Sequence, residues 1–191
     1  MTIVERIAAA LDRASPEGLL PGDLGDEQGG ELREAAVLVA ITDRADPGVI
    51  LTTRHDDLRN HGGQIAFPGG RIDQGEDVRG AALREAWEEL GLDPAQARII
   101  GEADHYRTIT GFGVIPVVAV VPPDLPLTPN PAEVADWFEA PLAFLLDPAN
   151  HARREIDYKG RSRHYFEIDW NGRRIWGATA AMLVNLSRRL P

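Results

Sequence analysis

Four glutamates and one arginine in a short span carry the strongest chemistry in this 191-residue chain: Glu76, then Arg84-Glu85, then Glu88-Glu89. Carboxylates three and four residues apart stand within a turn of each other on a helix, where like charges repel by a few tenths of a kcal/mol per pair. A cation among them relieves that repulsion. Hard divalent ions take oxygen ligands, and Mg²⁺ in particular is held by one or two carboxylates together with substrate phosphates. The competing reading is a solvated acidic face, the ordinary fate of a charge run. Against it, Arg84 is the only basic residue among the three closest glutamates. Just upstream, Pro68-Gly69-Gly70 frees the backbone for a close approach and offers the Gly70 carbonyl as a further oxygen ligand.

These groups need a helix to hold them. At about 100° per residue, Leu83, Ala86, Trp87 and Leu90 fall on one stripe that predicts the core-facing side. Glu85, Glu88 and Glu89 fall opposite, with Ala81 and Ala82 clearing space beside them. Asp77 is placed to cap the start of this helix and Gly91 to stop it.

Residues 2–14 carry Ile3, Ile7, Ala8 and Leu11 at helical spacing, and residues 15–34, rich in Gly, Pro and acid, read as a loop arm. Ala35 to Thr42 and Val49 to Arg54 predict two strands joined by a turn at Asp46-Pro47-Gly48. A short strand over Gln64 to Phe67 leads into the glycines. Ala97 to Glu102 and Ile115 to Val121 read as strands, Glu133 to Phe138 is ambiguous, and Pro141 to Leu146 predicts a short helix. Tyr165 to Trp170 and Arg173 to Trp176 flank Asn171-Gly172, the favoured type I′ hairpin turn. Trp170 and Trp176 are expected to pack across that hairpin. Ala178 to Leu190 predicts a closing helix with Met182, Leu183 and Leu186 toward the core. The pattern alone supports α+β or α/β, organised as an N-terminal helix and arm over 1–34 packed on one domain over 35–191.

Composition narrows the function classes. No cysteine is present, so disulfides, thiolate zinc sites and cysteine nucleophiles are excluded. The N-terminus breaks its apolar pattern with Glu5, Arg6 and Asp12, unlike a signal peptide, and no apolar run reaches the length of a membrane span. A soluble cytoplasmic protein with no membrane partner is expected. The net charge of −10 argues against a nucleic-acid partner, whose backbone is bound by Lys and Arg, but not against a small phosphorylated substrate, since a divalent ion reverses the local sign.

Gly70, five residues, Glu76, seven residues, Arg84-Glu85-Ala86, one residue, Glu88-Glu89, one residue, Gly91-Leu92 resembles the Nudix box at every defined position. The resemblance implies an α/β/α sandwich with a mixed β-sheet and a diphosphate hydrolase using Mg²⁺ or Mn²⁺ on a nucleotide diphosphate. It implies Glu85 and Glu89 as leading metal ligands, with Glu88 and the Gly70 carbonyl completing or supporting the site. Arg84 would orient a neighbouring carboxylate and Glu76 would add a salt bridge. A box carboxylate, Glu88 or Glu85, competes with Glu133 of the downstream Asn130-Pro131-Ala132-Glu133 loop as general base.

A second block, Leu51-Thr52-Thr53-Arg54, Arg59, Gly63-Gln64 and Phe67-Pro68-Gly69-Gly70, resembles the coenzyme A pyrophosphatase branch, with His55 departing from the small residue expected there. Thr110-Gly111-Phe112 and Ile175 to Ala180 are similar to the same branch. The resemblance implies coenzyme A or acyl-CoA as substrate. Arg54, Arg59, His61 and Gln64 are its candidate substrate contacts, although Arg54 and Arg59 could instead pair with Asp56, Asp57 or the box carboxylates. Another nucleotide substrate, such as a dinucleoside polyphosphate or ADP-ribose, and a non-catalytic nucleotide-sensing module are the alternatives. A homodimer is an allowed assembly that nothing in the sequence specifies.

Overall fold

The computed structural model describes residues 2–23, 32–55, 63–158 and 160–190. Arg59 and His61 lie outside the described residues. Helix α1 (Ile3–Leu11) starts with a reciprocal cap, in which the Thr2 hydroxyl accepts from the Glu5 N–H and the Glu5 carboxylate from the Thr2 N–H. Strands β1 (Arg33–Thr42) and β2 (Gly48–Arg54) pair antiparallel at Ile41 and Val49. Further along, short strands occupy the space between them. There β3 (Ile65–Ala66) pairs with Thr52 and Thr53, and β4 (Gly69–Arg71) pairs with Ala35 to Val37. The glycine segment is thus held in a sheet on the inner side of the molecule.

Helix α2 (Val78–Leu90) follows, capped by the Asp77 side chain accepting from the Gly80 N–H and closed by Gly91 in the left-handed conformation at φ 67°, as the sequence predicts. Next come β5 (Arg98–Glu102), β6 (Tyr106–Arg107) and β7 (Phe112–Val121), and β7 runs parallel to β1 along its full length. The ambiguous stretch after Pro131 becomes β8 (Val134–Pro141), which pairs with β2. It is followed by α3 (Leu142–Leu146). A second sheet comprises β9 (Ala152–Tyr158), β10 (Arg161–Trp170) and β11 (Arg173–Trp176), and α4 (Ala178–Arg189) ends the described chain. Asn171 and Gly172 both have positive φ, the geometry of the predicted hairpin turn. No strand was expected over residues 152–158, where five charged or polar residues in seven hide the alternation.

Alternate residues of β1 feed two cores. Ala36, Leu38 and Ala40 pack with α2, whereas Ala35, Val39 and Ile41 pack with α1, α4 and the second sheet. This is a mixed sheet between two helical layers. No helix among the described residues is long and apolar enough to cross a membrane.

The inner face of α2 differs from the predicted one. Trp87 is 54% exposed, while Ala81, Ala82 and Ala86 are fully buried. Alanines on the helix meet Ala36, Ala40 and Ala119 in the same cluster, so helix and sheet approach too closely to admit an indole. Ala81 and Ala82 therefore do not clear space above the carboxylates. The helix is turned so that Glu85 and Glu89 share the inward side with them, and Glu89 is only 4% exposed. The tryptophans of the hairpin also split: Trp176 of β11 meets Tyr165 of β10 edge-on, but Trp170 stacks on Phe138 of β8 at 5.6 Å between centroids.

Candidate active site

Two glycines let α2 deliver its carboxylates onto a main chain. A Cβ at Gly69 would collide with Ala36 and Val37 of β1, and one at Gly70 would collide with the Glu85 carboxylate. Glu85 therefore lies directly on the glycine strand, and the Gly69 N–H donates to Glu89 Oε2 at 3.3 Å. Arg84 organises the outer half of the cluster. Its Nε and Nη2 donate to the two Glu76 oxygens at 2.9 and 3.0 Å, its Nη1 donates to Glu85 Oε1 at 2.9 Å and Glu88 Oε2 at 3.2 Å, and Nη2 also reaches the Arg71 carbonyl. One guanidinium thus fixes three carboxylates and the end of β4.

The carboxylates are not equivalent. Hydrogen bonding from Arg84 holds Glu76 below its ordinary pKa. Burial raises Glu85, with repulsion from Glu88 and Glu133 adding to it and Arg84 opposing. Burial pushes Glu89 up to about 7, against the opposing pull of Arg54 and the Gly69 N–H. Glu88 is the outermost, with half its side chain exposed.

Glu133 joins from 44 positions downstream of Glu89, because the Asn130 N–H donates to the Glu89 carbonyl and the Thr128 N–H to the Leu90 carbonyl. The Asn130 carbonyl then accepts from Glu133 and Val134, folding the loop back on α2. The charge of Glu133 is felt by both Glu85 and Glu89. Arg54, at the end of β2, faces Glu89 electrostatically and has a buried Nε without a hydrogen-bond partner. Its main chain is latched to Gly63 and Gln64 by a pair of hydrogen bonds at 3.1 and 3.0 Å. Of the predicted groups, the structure brings together Glu76, Arg84, Glu85, Glu88, Glu89, Glu133, Arg54, Gln64 and Gly70.

The sequence places Gly69 in a close-approach glycine pair and Asn130 in the Glu133 loop; the structure adds the Gly69 N–H donating to Glu89 and the Asn130 N–H donating to the Glu89 carbonyl. The sequence assigns no role to Thr53 Oγ1 and His55 Nε2, which are buried and unpartnered on either side of Arg54.

Whether a divalent ion suits this place can be judged from the donors. Among the described residues no three acidic or histidine side chains converge on a common point, since Arg84 draws Glu85 and Glu88 toward itself. Glu89, however, is a desolvated carboxylate whose hydrogen-bond partner among the described residues is the Gly69 N–H, and the missing Cβ of Gly70 lets the Glu85 carboxylate lie against the main chain of β4. Hard oxygens gathered at Glu85 and Glu89, with no salt bridge to Glu89 among the described residues, fit Mg²⁺ or Mn²⁺. Replacing Arg84 by Met should slow turnover about 10- to 100-fold and weaken metal activation, since outer partners of ligand carboxylates carry effects of that size. A metal titration of activity checks this, and an unchanged metal midpoint would show that Arg84 does not orient the carboxylates.

Comparison with known proteins identifies relatives of the fold. The family profile described as the NUDIX domain matches residues 32–159. A protein named uncharacterized Nudix hydrolase NudL from Escherichia coli O7:K1 is 40% identical over 160 residues, covering 83% of each chain, and its counterpart in Cronobacter sakazakii matches at the same level. Among solved structures, the M. smegmatis Nudix hydrolase RenU aligns with a TM-score of 0.52 at 24% identity, covering 67% of this chain and 81% of that one. A C. elegans Ap4A hydrolase complex aligns at 0.50 and 22%, covering 57% and 80%, a likeness of fold.

Proposed function

From the premise that this chain belongs to the Nudix hydrolase family, we propose that it cleaves the diphosphate of coenzyme A or an acyl-CoA, giving 3′,5′-ADP and (acyl-)4′-phosphopantetheine. The observation that carries the reaction class is the desolvated pair Glu85 and Glu89 closed on the glycine strand, with an unpartnered Arg54 nitrogen beside it. Glu85, Glu89 and the Gly70 carbonyl would hold Mg²⁺ or Mn²⁺, with Glu88 at the outer side. When bound, such an ion lowers the pKa of water and offsets charge on the diphosphate oxygens.

The remaining work falls to the chain. Arg84 keeps Glu85 and Glu88 in fixed orientations. Arg54, whose charge faces Glu89 at the end of β2, offers its guanidinium to a diphosphate oxygen. Glu133 accepts the proton of the attacking water on its carboxylate, because its loop is tied to α2 while its side chain has no guanidinium engaging it among the described residues. Glu88, bound to Arg84, is less free to do so.

The preference for coenzyme A is supported by the block from Leu51 to Gly70 and by the latch that sets Arg54 beside Gln64. Such a substrate carries a ribose phosphate besides its diphosphate and needs cationic donors beyond the metal, a role left to Arg54 and Arg59. A cytoplasmic location fits this substrate. The expected result of a panel with Mg²⁺ and Mn²⁺ is preferential cleavage of coenzyme A and acetyl-CoA, read by chromatographic identification of 3′,5′-ADP. A flat response to both, beside strong cleavage of Ap4A or ADP-ribose, would replace the substrate and keep the reaction class. No turnover of any diphosphate would leave the nucleotide-sensing reading.

A further inference from the structure

On the face of the main sheet away from α2, residues 18–23, the β9–β10 hairpin and the last turn of α4 enclose a cleft of about 330 Å³. Its basic side chains are Arg153, His164 and Arg188. In a chain of net charge −10, this concentration of positive groups runs against the global sign. Their main chains belong to the β9–β10 ladder, but among the described residues neither the Arg153 nor the His164 side chain has a hydrogen-bond or ion-pair partner. Arg188 donates to the Gly18 carbonyl and stands over the Phe166 ring, so it is positioned without being neutralised.

Two acids beside it are already engaged. Asp23 accepts from the Tyr106 hydroxyl at 2.6 Å and from the Ile109 N–H at 3.3 Å, and Glu155, opposite His164 in the β9–β10 ladder, accepts from the Ser162 hydroxyl. The walls are also fixed. Leu20 exchanges two hydrogen bonds with the buried Asn185 side chain of α4, and the Asp23 N–H donates to the Arg107 carbonyl. Tyr165 and Phe166 supply ring surface beside the cations.

We propose that this cleft binds a phosphate monoester carried on a sugar or nucleoside. Two planar arginine forks and an imidazole match a compact dianion. The volume is at the small end of ligand sites, which suits one phosphorylated sugar or a mononucleotide and is too small for a dinucleotide. The site is separate from the carboxylate cluster: that cluster belongs to α2 and the Ala36, Leu38 and Ala40 face of β1, whereas Tyr106 and α4 belong to the opposite core.

The test is isothermal titration of the full chain in EDTA with AMP, ribose 5-phosphate and inorganic phosphate. Both esters should bind more tightly than inorganic phosphate. The double variant Arg153→Ser, His164→Asn should weaken them at least about tenfold, the scale of one lost charge-assisted hydrogen bond. Its hydrolase turnover and its ligand-free melting temperature should stay at wild-type values. AMP binding tighter than ribose 5-phosphate would assign the base to the Tyr165 and Phe166 wall, and equal affinities would assign the sugar phosphate alone. Inorganic phosphate binding as tightly as the esters would overturn the proposal. So would ester binding that survives the double variant and is lost in Arg54→Ala, which would put the ligand at the carboxylate cluster.

Discussion

Glu89→Gln should lose roughly 10²- to 10³-fold in kcat, the several kcal/mol expected of a group that holds a catalytic cation, and should at the same time make the metal-free protein more stable at alkaline pH. Both effects come from one cause. Glu89 is 4% exposed, and its pKa is raised from 4.5 to about 7, chiefly by burial. A carboxyl that binds its proton more tightly when folded contributes full stability below about 4.5, loses it as pH rises toward about 7, and is a constant penalty above that. The penalty is about 3 kcal/mol, from the shift at 1.36 kcal/mol per unit. The neutral amide escapes it.

In EDTA, the melting temperatures of wild type and Glu89→Gln should therefore converge near pH 4.5 and separate by pH 8, with the variant higher. Mn²⁺ should raise the wild type and leave the variant almost unchanged. A constant difference across pH would show that Glu89 is not the desolvated carboxylate described here. Near-normal turnover would remove it from the metal site.

Arg189→Met should destabilise the fold by about 3–5 kcal/mol, the scale for breaking a buried ion pair from one side. The Arg189 and Asp104 side chains are 6% and 12% exposed and form a two-pronged pair. The same guanidinium donates to the Ala10 and Arg13 carbonyls and to the Ser15 hydroxyl, so it ties the end of α4 to the N-terminal segment. Burial alone would raise the Asp104 pKa, but hydrogen bonds from Arg189 and Ser15 outweigh it and hold the carboxyl low. Its contribution is therefore present above the ordinary Asp value and lost in acid. Without Arg189, Asp104 is left as an uncompensated charge, and the variant's deficit should shrink as pH falls. Urea unfolding should show Asp104→Leu, Arg189→Met recovering much of the loss, because an apolar pair removes both desolvation penalties. A double variant as unstable as the single one would assign the loss to the Ala10, Arg13 and Ser15 contacts instead.

The sequence by itself determined the family. The spacing of Gly70, Glu76, Arg84, Glu85, Glu88 and Glu89 is local, and caps at Asp77 and Gly91 fix the helix that displays them. The Asn171-Gly172 hairpin was legible for the same reason: a two-residue turn states its own geometry. What periodicity could not decide was which way the helix faces. A stripe containing Trp87 outweighs three alanines in any hydrophobic average, yet the sheet beneath is paved with Ala36, Ala40 and Ala119 and accepts only small residues. That choice is made by packing between segments far apart in the chain. It also separates Glu85 and Glu89, turned inward and desolvated, from Glu88, left at the surface. The same is true of Glu133 and Arg54, which reach the cluster through main-chain hydrogen bonds from Asn130 to Glu89 and from Arg54 to Gln64. The order of residues gave the donors, and only the tertiary structure set their burial, because desolvation depends on what the rest of the chain places around a charge.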